Sequence, residues 1–128
     1  KALKGSAKKV VNDFHGLVPD TLERLITLPG VARKTANVVL GVAFQKNEGV
    51  VVDTHVKRLS QRMGFTKHAD PAKIEKDLMQ LFPQKNWMHL SHLFIDHGRA
   101  ICKAPKPSCL TCPVKNLCSS SKIFYPNL

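Results

Sequence analysis

Hydrophobic residues recur at intervals of three and four positions through most of this chain, which is the spacing of amphipathic helices. The first apolar face ends at Gly16 and consists of Leu3, Ala7, Val10, Val11 and Phe14. Asp20 and Glu23 form a capping pair ahead of a second helix, which extends to about Leu28. Further helices are predicted at about 31–44, 54–63, 71–82 and 86–98. We therefore expect an all-α fold.

The segments between these helices are consistent with that fold. Residues 45–49 form a polar connection, and residues 50–52, Val-Val-Val, have no second apolar run to pair with as strands. We predict that they are buried in an extended conformation. Asp70 and Pro71 stand in the order of an N-cap and a first helical residue. The predicted inward positions of the last two helices are Ile74, Leu78, Leu81, Phe82, Leu90, Leu93 and Phe94, with Gly98 as the stop.

Residues 28–36, Leu-Pro-Gly-Val-Ala-Arg-Lys-Thr-Ala, predict a helical hairpin. Pro29 ends the preceding helix, because a residue before proline is displaced from the α region. Gly30 permits a backbone geometry that a side chain would disfavour. The N–H groups at the start of the next helix are a ready site for a phosphate, and Arg33 and Lys34 add two cations there. The alternative is a plain helical hairpin with a solvent-exposed Arg-Lys pair.

The charge of the chain indicates a polyanionic partner. Its 128 residues, enough for one domain, include 20 Lys and Arg against 9 Asp and Glu, a formal net charge of +11. Nucleic acid is the commonest soluble polyanion. No stretch is apolar and long enough to cross a bilayer, and nothing resembles a signal peptide. We expect an intracellular protein, in the cytoplasm or nucleoid of a bacterium, or in the nucleus or an organelle of a eukaryote.

All four cysteines lie near the C-terminus with the spacing C-x6-C-x2-C-x5-C, at Cys102, Cys109, Cys112 and Cys118. Two disulfides are typical of small secreted domains, and this chain carries no secretory signal. Four thiolates suit structural zinc, and they also suit a [4Fe–4S] cluster. The spacing therefore indicates a metal or cluster site and leaves zinc and iron–sulfur open.

Lys34 and Asp53 are the residues best suited to covalent chemistry. An amine attacks carbon only in its neutral form, and a helix N-terminus and a neighbouring cation both favour that form. The alternative for Lys34 is an ion pair with a phosphate. Asp53 precedes a helix, so its local role is that of an N-cap. A carboxylate held rigidly at that position can also accept a proton or balance a developing positive charge.

Taken together, these residues resemble the endonuclease III family of helix-hairpin-helix DNA glycosylases. Three motifs occur in the order of that family: the hairpin at residues 28–40, Val-Asp-Thr-His-Val at residues 52–56, and the four-cysteine pattern. His97-Gly98-Arg99 ahead of the first cysteine fits as well. The resemblance covers the chain up to the tail after Cys118, and three linked motifs are far more specific than any single one.

The resemblance implies a bifunctional DNA glycosylase and abasic-site lyase of base excision repair. It implies that Lys34 attacks C1′ of an oxidised pyrimidine nucleotide, forms a Schiff base with the opened sugar and cuts the strand by β-elimination. Asp53 corresponds to the aspartate that assists this lysine. The implied partner is double-stranded DNA with damaged bases or abasic sites, bound by a monomer. The implied DNA contacts are Leu28, Gly30, Val31, Ala32, Arg33 and Lys106.

The same resemblance implies that the cofactor is a [4Fe–4S] cluster held by Cys102, Cys109, Cys112 and Cys118, and that its role is structural. We accordingly divide the chain into a helical domain and a cluster region. The helical domain is residues 1–98 and contains the helix-hairpin-helix at about 20–44. The cluster loop and tail are residues 99–128.

The chain departs from the family in two places. Ala32 stands where a second hairpin glycine is usual, and its methyl group would crowd the DNA or cost about 1 kcal/mol at a positive φ. The helices that precede this region in family members are not in this sequence. We expect the 128-residue chain to expose apolar surface, to be poorly stable and to have little glycosylase activity by itself.

Three other functions are compatible with parts of this pattern. A non-catalytic DNA-binding module would keep the hairpin and the cluster, and a zinc-stabilised basic domain would bind nucleic acid without chemistry. The adenine-specific mismatch glycosylases share the cluster but lack a lysine at the position of Lys34. The lysine therefore favours the bifunctional enzyme.

Overall fold

The computed structural model describes residues 1–127, and all regular structure in that range is helical. The predicted all-α fold is confirmed. Seven α-helices follow one another along the chain: α1 Ala2–Phe14, α2 Leu22–Leu25, α3 Arg33–Phe44, α4 Thr54–Arg62, α5 Pro71–Leu81, α6 Trp87–Ala100 and α7 Ser121–Phe124. Short 3₁₀ turns occur at Gln84–Asn86, Cys109–Thr111 and Lys115–Leu117. None of the helices within residues 1–127 has the length and apolar character required to cross a membrane.

The chain forms two compact units, Lys1–Glu48 and Gly49–Leu128. The first contains the hairpin and the second contains all four cysteines. Each unit has its own core. The core of the first unit is Leu25, Leu28, Ala36 and Leu40, and that of the second unit is Val50, Val52, Val56, Leu59, Ile74, Leu78, Leu90 and Phe94. The division at residues 98 and 99 that the sequence indicated stays a prediction.

Helix α1 buries less of its apolar face than the sequence predicts. It ends as expected, with His15 in the left-handed region and Gly16 at φ 81°. Val10 and Phe14 pack against the first core, whereas Leu3 is 89% exposed and Val11 is 63% exposed. The reason is geometric. Leu3 lies two turns before Val10 in the helix, and Val11 is rotated by about 100° from Val10 around the helix axis. Neither therefore shares the position from which Val10 reaches the core.

Helix α2 is shorter than predicted and has a different N-cap. It spans only Leu22–Leu25, and Thr21 occupies the cap position without a side-chain cap bond. Asp20 instead accepts a 2.7 Å hydrogen bond from Lys46 Nζ, so the predicted capping role of Asp20 is wrong. The chain leaves the α conformation before Pro29 through i→i+3 bonds, among them Leu28 N to Leu25 O at 3.1 Å. This early exit reflects the exclusion of the residue before proline from the α region.

Helix α3 ends at Phe44 as predicted, but its buried face is displaced. Ala36 and Leu40, one turn apart, are fully buried. Val38 and Val42, which stand at helical spacing in the same segment, are 39% and 66% exposed. Because α3 is apolar on several sides, its hydrophobic spacing alone does not identify the face that packs.

The second unit agrees closely with the predicted elements. Val50 and Val52 are buried in extended chain outside any strand. Asp70 caps α5 by accepting a 3.1 Å bond from Lys73 N. Two residues predicted to lie inside are exposed, Leu81 at 57% and Leu93 at 50%.

Gly98 does not stop α6, which continues to Ala100. It is buried within the helix where α6 packs on α4. A Cβ at this position would lie 3.0 Å from Arg58 Nη2 and 3.0 Å from His55 Cδ2. The glycine therefore permits the close approach of the two helices.

We expect Gly98→Ala to destabilise the second unit. Alanine in a helix gains about 1 kcal/mol over glycine, but overpacking of a well-packed contact costs about 1–3 kcal/mol. The Arg58 guanidinium cannot move away without weakening its bonds to Gly98 O and Cys102 O, both at 3.1 Å. The measurement is the free energy of unfolding from urea denaturation followed by circular dichroism.

His92→Ala is the matched control, because His92 lies on the exposed face of the same helix. It is expected to change the free energy of unfolding by less than about 0.5 kcal/mol. Equal or higher stability of Gly98→Ala would show that the helices have room for a methyl group at their crossing.

Candidate functional site

The hairpin depends on glycine at position 30. Gly30 has φ 79°, and a Cβ there would lie 2.8 Å from the Cβ of Ala2. The turn is closed by a 3.0 Å bond from Val31 N to Leu28 O. Both the positive φ and the close contact exclude a side chain at position 30. This agrees with the prediction that Gly30 adopts a backbone geometry that a side chain would disfavour.

The first turns of α1 support the hairpin from behind. Ser6 Oγ donates a 2.7 Å hydrogen bond to Pro29 O. A Cβ on Gly5 would lie 3.2 Å from Pro29 Cγ, so the pyrrolidine ring rests on the backbone of α1 at this glycine. Sequence reasoning gave no role to these α1 residues, because their contacts cross about two dozen positions and follow no local pattern.

Ala32 adopts an ordinary extended conformation, φ −92° and ψ 172°, as the N-cap of α3. The free-energy cost that a positive φ would impose on Ala32 therefore does not arise. Its methyl side chain provides no cap for the start of α3. Arg33 and Lys34 follow in the first turn and are exposed. The Leu28 side chain belongs to the core, so this residue presents only its backbone at the hairpin.

Asp53 is the N-cap of α4, and both of its carboxylate oxygens are engaged. Oδ1 accepts 2.9 Å bonds from the backbone N–H groups of His55 and Val56. Oδ2 lies 3.1 Å from His55 Nδ1. Burial acts to raise the pKa of Asp53, but the bonds from Val56 and His55 outweigh it and hold the pKa below the usual value. The carboxylate is therefore ionised at neutral pH.

His55 is a functional candidate that sequence reasoning overlooked. It contributes both a backbone N–H and a ring nitrogen to Asp53. The Asp-x-His spacing at the start of a helix is the signal that identifies such a pair. Lys34 belongs to the first compact unit, whereas Asp53 and His55 belong to the second.

The four cysteines are free, partly buried, and line one narrow cavity. Burial raises the pKa of Cys109, and the charges of the other three cysteines raise it further. The four sulfur atoms are therefore near enough to influence one another. Among residues 1–127, no three side chains of His, Cys, Asp or Glu are arranged to hold a single metal ion.

His97 also lines this cavity. Its Nε2 lies 3.5 Å from Cys112 Sγ. Burial lowers the pKa of His97, so the imidazole is neutral at neutral pH. A neutral ring can direct an N–H at the sulfur of Cys112 without adding a charge to the cavity.

Two arginines of α4 donate to the first cysteine, one to its backbone carbonyl and one to its sulfur. Arg58 donates to Cys102 O from Nε at 3.2 Å and from Nη2 at 3.1 Å. Arg62 Nη1 donates to Cys102 Sγ at 3.3 Å. Lys106 is exposed in the loop that begins after Cys102. No local pattern identifies these arginines, because they lie about 40 positions from their acceptors.

Comparison with known proteins extends these observations. The family model for the HhH-GPD superfamily base excision DNA repair protein matches residues 1–84. Endonuclease III of Synechocystis sp. is 56% identical over 122 residues, which is 95% of this chain and 56% of that protein. Endonuclease III of Bacillus subtilis is 42% identical over 119 residues, 92% of this chain and 54% of that protein. The chain spans about half the length of the relatives that it matches.

Solved structures agree with the sequence relatives. A trapped endonuclease III–DNA covalent intermediate, an estranged-adenine complex, matches with a TM-score of 0.88 and 40% identity, over 95% of this chain and 57% of that one. A thermostable thymine-DNA glycosylase matches with a TM-score of 0.80 and 28% identity, over 95% of this chain and 58% of that one. The family match, the helical fold and the hairpin are in agreement, and the chain belongs to the HhH-GPD superfamily of base excision DNA repair proteins.

Proposed function

We propose that this chain carries the hairpin, the nucleophile and the cysteine centre of an endonuclease III-type DNA glycosylase and abasic-site lyase. The observation that carries the proposal is the exposed Lys34 in the first turn of α3, directly after the hairpin. It occurs in a fold that matches a trapped covalent complex of endonuclease III with DNA. The substrate class is double-stranded intracellular DNA with oxidised pyrimidines or abasic sites.

The hairpin binds the DNA backbone in this proposal. The positive φ of Gly30 turns the chain tightly into α3, and Ala32 contributes no side-chain cap that would compete for the start of that helix. Backbone N–H groups at a helix N-terminus favour a phosphate, and the positive end of the helix dipole adds to this preference. Contacts of this kind fix the register of the protein without reading bases.

Lys34 acts as the nucleophile. Its neutral Nζ attacks C1′ of the damaged nucleotide, the C1′–N bond breaks, and the base leaves with the bonding electron pair. Loss of an amine proton and opening of the sugar ring give a Schiff base. Removal of a C2′ proton then expels the 3′ phosphate by β-elimination, and hydrolysis of the imine frees Lys34. The target nucleotide must first be flipped out of the duplex.

Asp53 stabilises positive charge that develops on the sugar and assists the lysine. Its ionised carboxylate is held in one orientation by the N–H groups of His55 and Val56. A preorganised charge does not reorient during the reaction, which is the condition for strong electrostatic stabilisation. The capping contacts therefore serve a catalytic group as well as the helix.

We propose a [4Fe–4S] cluster as the cofactor, held by Cys102, Cys109, Cys112 and Cys118. The donor set fits, because four free thiols line one cavity and influence one another electrostatically. The cluster has a structural role and supplies no step of base removal. It orders the loop after Cys102, where Lys106 makes a further phosphate contact.

Covalent trapping tests the proposal directly. Incubation with a duplex that contains one abasic site, in the presence of borohydride, is expected to give a protein–DNA adduct on a denaturing gel. Lys34→Ala and Lys34→Arg are both expected to give none, because arginine keeps the charge but does not form the Schiff base.

Lys8→Ala is the matched control, because Lys8 is an exposed lysine of the same unit. It is expected to form as much adduct as the parent chain. An undiminished adduct from Lys34→Ala would mean that another amine attacks. Tight binding without any adduct, both from the parent and from a chain extended at its N-terminus, would indicate the non-catalytic DNA-binding module instead.

Asp53→Asn is expected to separate the capping role from the catalytic role. Asparagine is as good an N-cap as aspartate, so the loss of unfolding free energy at neutral pH should be limited to the contribution of the Asp53 charge. The trapping rate should fall by about 10²–10⁴-fold, the range for a lost acid–base or charge-stabilising group. Asp53→Ala should lose the same activity and also about 1 kcal/mol of stability.

The pH dependence of stability gives an independent readout for Asp53. Because the folded-state pKa of Asp53 is depressed, its contribution to stability is complete above the usual value of 3.8. The contribution is lost as the pH falls through the folded-state pKa. Urea denaturation between about pH 2 and 6 should show a larger loss of stability in the parent than in Asp53→Asn, because other carboxyl groups with lowered pKa, such as Asp20, titrate in both chains. Full activity of Asp53→Asn would exclude a catalytic charge at this position.

The identity of the cofactor can be tested on anaerobically purified protein. We expect about four iron and four sulfide per chain, with a brown colour and broad visible absorbance. Cys112→Ser should lose most of this absorbance. A colourless parent that retains about one zinc per chain would favour a structural zinc site instead.

A further inference from the structure

Arg62, the last residue of α4, binds the start of the loop that carries Lys106. Its Nη1 donates to Lys103 O at 2.8 Å, and its Nη2 donates to Ala104 O at 2.7 Å. The same Nη1 donates to Cys102 Sγ at 3.3 Å. One planar guanidinium therefore contacts the sulfur of the first cysteine and two successive carbonyl groups of the loop.

The backbone of Arg62 extends this arrangement to the last cysteine. Ser119 Oγ, next to the last cysteine, donates to Arg62 O at 3.4 Å, and Cys118 Sγ lies 3.6 Å from the same oxygen. The guanidinium also lies over the ring of Phe124, with Cζ 4.7 Å from the ring centroid. Arg62 thus touches both ends of the four-cysteine segment.

Other residues fix neighbouring parts of the same segment without contacting a sulfur. Arg58 binds Cys102 O, and Tyr125 OH donates to Pro107 O at 3.1 Å. Among the described hydrogen bonds, the side chain of Arg62 alone joins a cysteine sulfur to the carbonyl groups of the loop. Lys106 lies between the backbone groups held by Arg62 and the one held by Tyr125.

The chemistry of arginine accounts for this arrangement. Its guanidinium is a rigid fork that keeps its charge, whereas a lysine ammonium is a point charge on a flexible stem. An outer hydrogen bond to a metal-ligating group orients that ligand, and the bond from Arg62 Nη1 to Cys102 Sγ is of this kind. A lysine at this position would preserve the net charge but could not satisfy the three acceptors with the same geometry.

We propose that Arg62 is a positioning residue that couples the cysteine centre to the DNA-contacting loop. It holds Cys102 in place for the cofactor and, with the same side chain, fixes residues 103–104 so that Lys106 is directed at a phosphate. The proposal rests on the proposed DNA contact of Lys106 and adds a residue that contacts neither base nor phosphate.

The first test is a double-mutant cycle on DNA affinity, with Arg62→Lys and Lys106→Ala. The measurement is the dissociation constant for an undamaged duplex by fluorescence anisotropy at several salt concentrations. Arg62→Lys should weaken binding severalfold and lower the salt slope by about one, although the net charge is unchanged. In the Lys106→Ala background, Arg62→Lys should have no further effect.

Three outcomes of this cycle would overturn the proposal, in whole or in its DNA part. Parent-like affinity of Arg62→Lys would mean that charge alone suffices at this position. Equal losses in both backgrounds would mean that Arg62 does not act through Lys106. Parent-like binding by Lys106→Ala alone would show that the proposed loop contact is wrong, and would remove the DNA part of the inference with it.

The second test follows the cofactor and does not depend on DNA. Iron release into a chelator is measured from the loss of visible absorbance. Arg62→Lys and Arg62→Gln should both release iron faster than the parent chain. Tyr125→Phe is the matched control, because it removes a loop bond that does not involve a cysteine sulfur. Release rates in Arg62→Lys equal to the parent would refute the role at Cys102, and circular dichroism would identify a variant that had simply unfolded.

Discussion

The close packing of α4 on α6 at Gly98 determines the layout of the second unit. Because no side chain separates the helices there, Arg58 lies across the crossing and binds carbonyl groups at the end of α6. The same packing determines the positions of both ends of α4. Its first turn holds the capped Asp53, and its last residue reaches the cysteine segment. One short helix thus links a carboxylate proposed for catalysis to the proposed cofactor centre.

Local sequence patterns predicted most of the elements, because caps, prolines and glycines act within a few residues. Asp70 and Pro71 start α5 as expected, and the hairpin glycine has the positive φ that only glycine adopts easily. The failures arise where tertiary contacts outweigh local preference. Asp20 pairs with Lys46 instead of capping, and Gly98 continues a helix that the pattern ended.

The candidate site also contains some residues that local patterns predict and others that only tertiary contacts define. Lys34, Asp53 and the cysteines stand in short motifs, so a reader of the sequence can select them without a structure. Their supporting residues cannot be found this way, because Ser6, Arg58 and Arg62 act on groups between 23 and 44 positions distant. Side chains that fix the geometry of a motif are defined by the fold, and they become visible only when the fold is known.

The bond from Ser6 to Pro29 has a consequence for the energetics of recognition. A flexible turn loses conformational freedom when it meets a ligand, and this loss weakens binding. Here the turn rests on α1 through Ser6, Gly5 and Ala2, so that loss has already occurred when the chain folds. In the proposed complex, the affinity for DNA therefore depends partly on the contacts between α1 and the hairpin turn. Substitutions in α1 can alter affinity through the order of the turn, without any change in the surface that meets the phosphates.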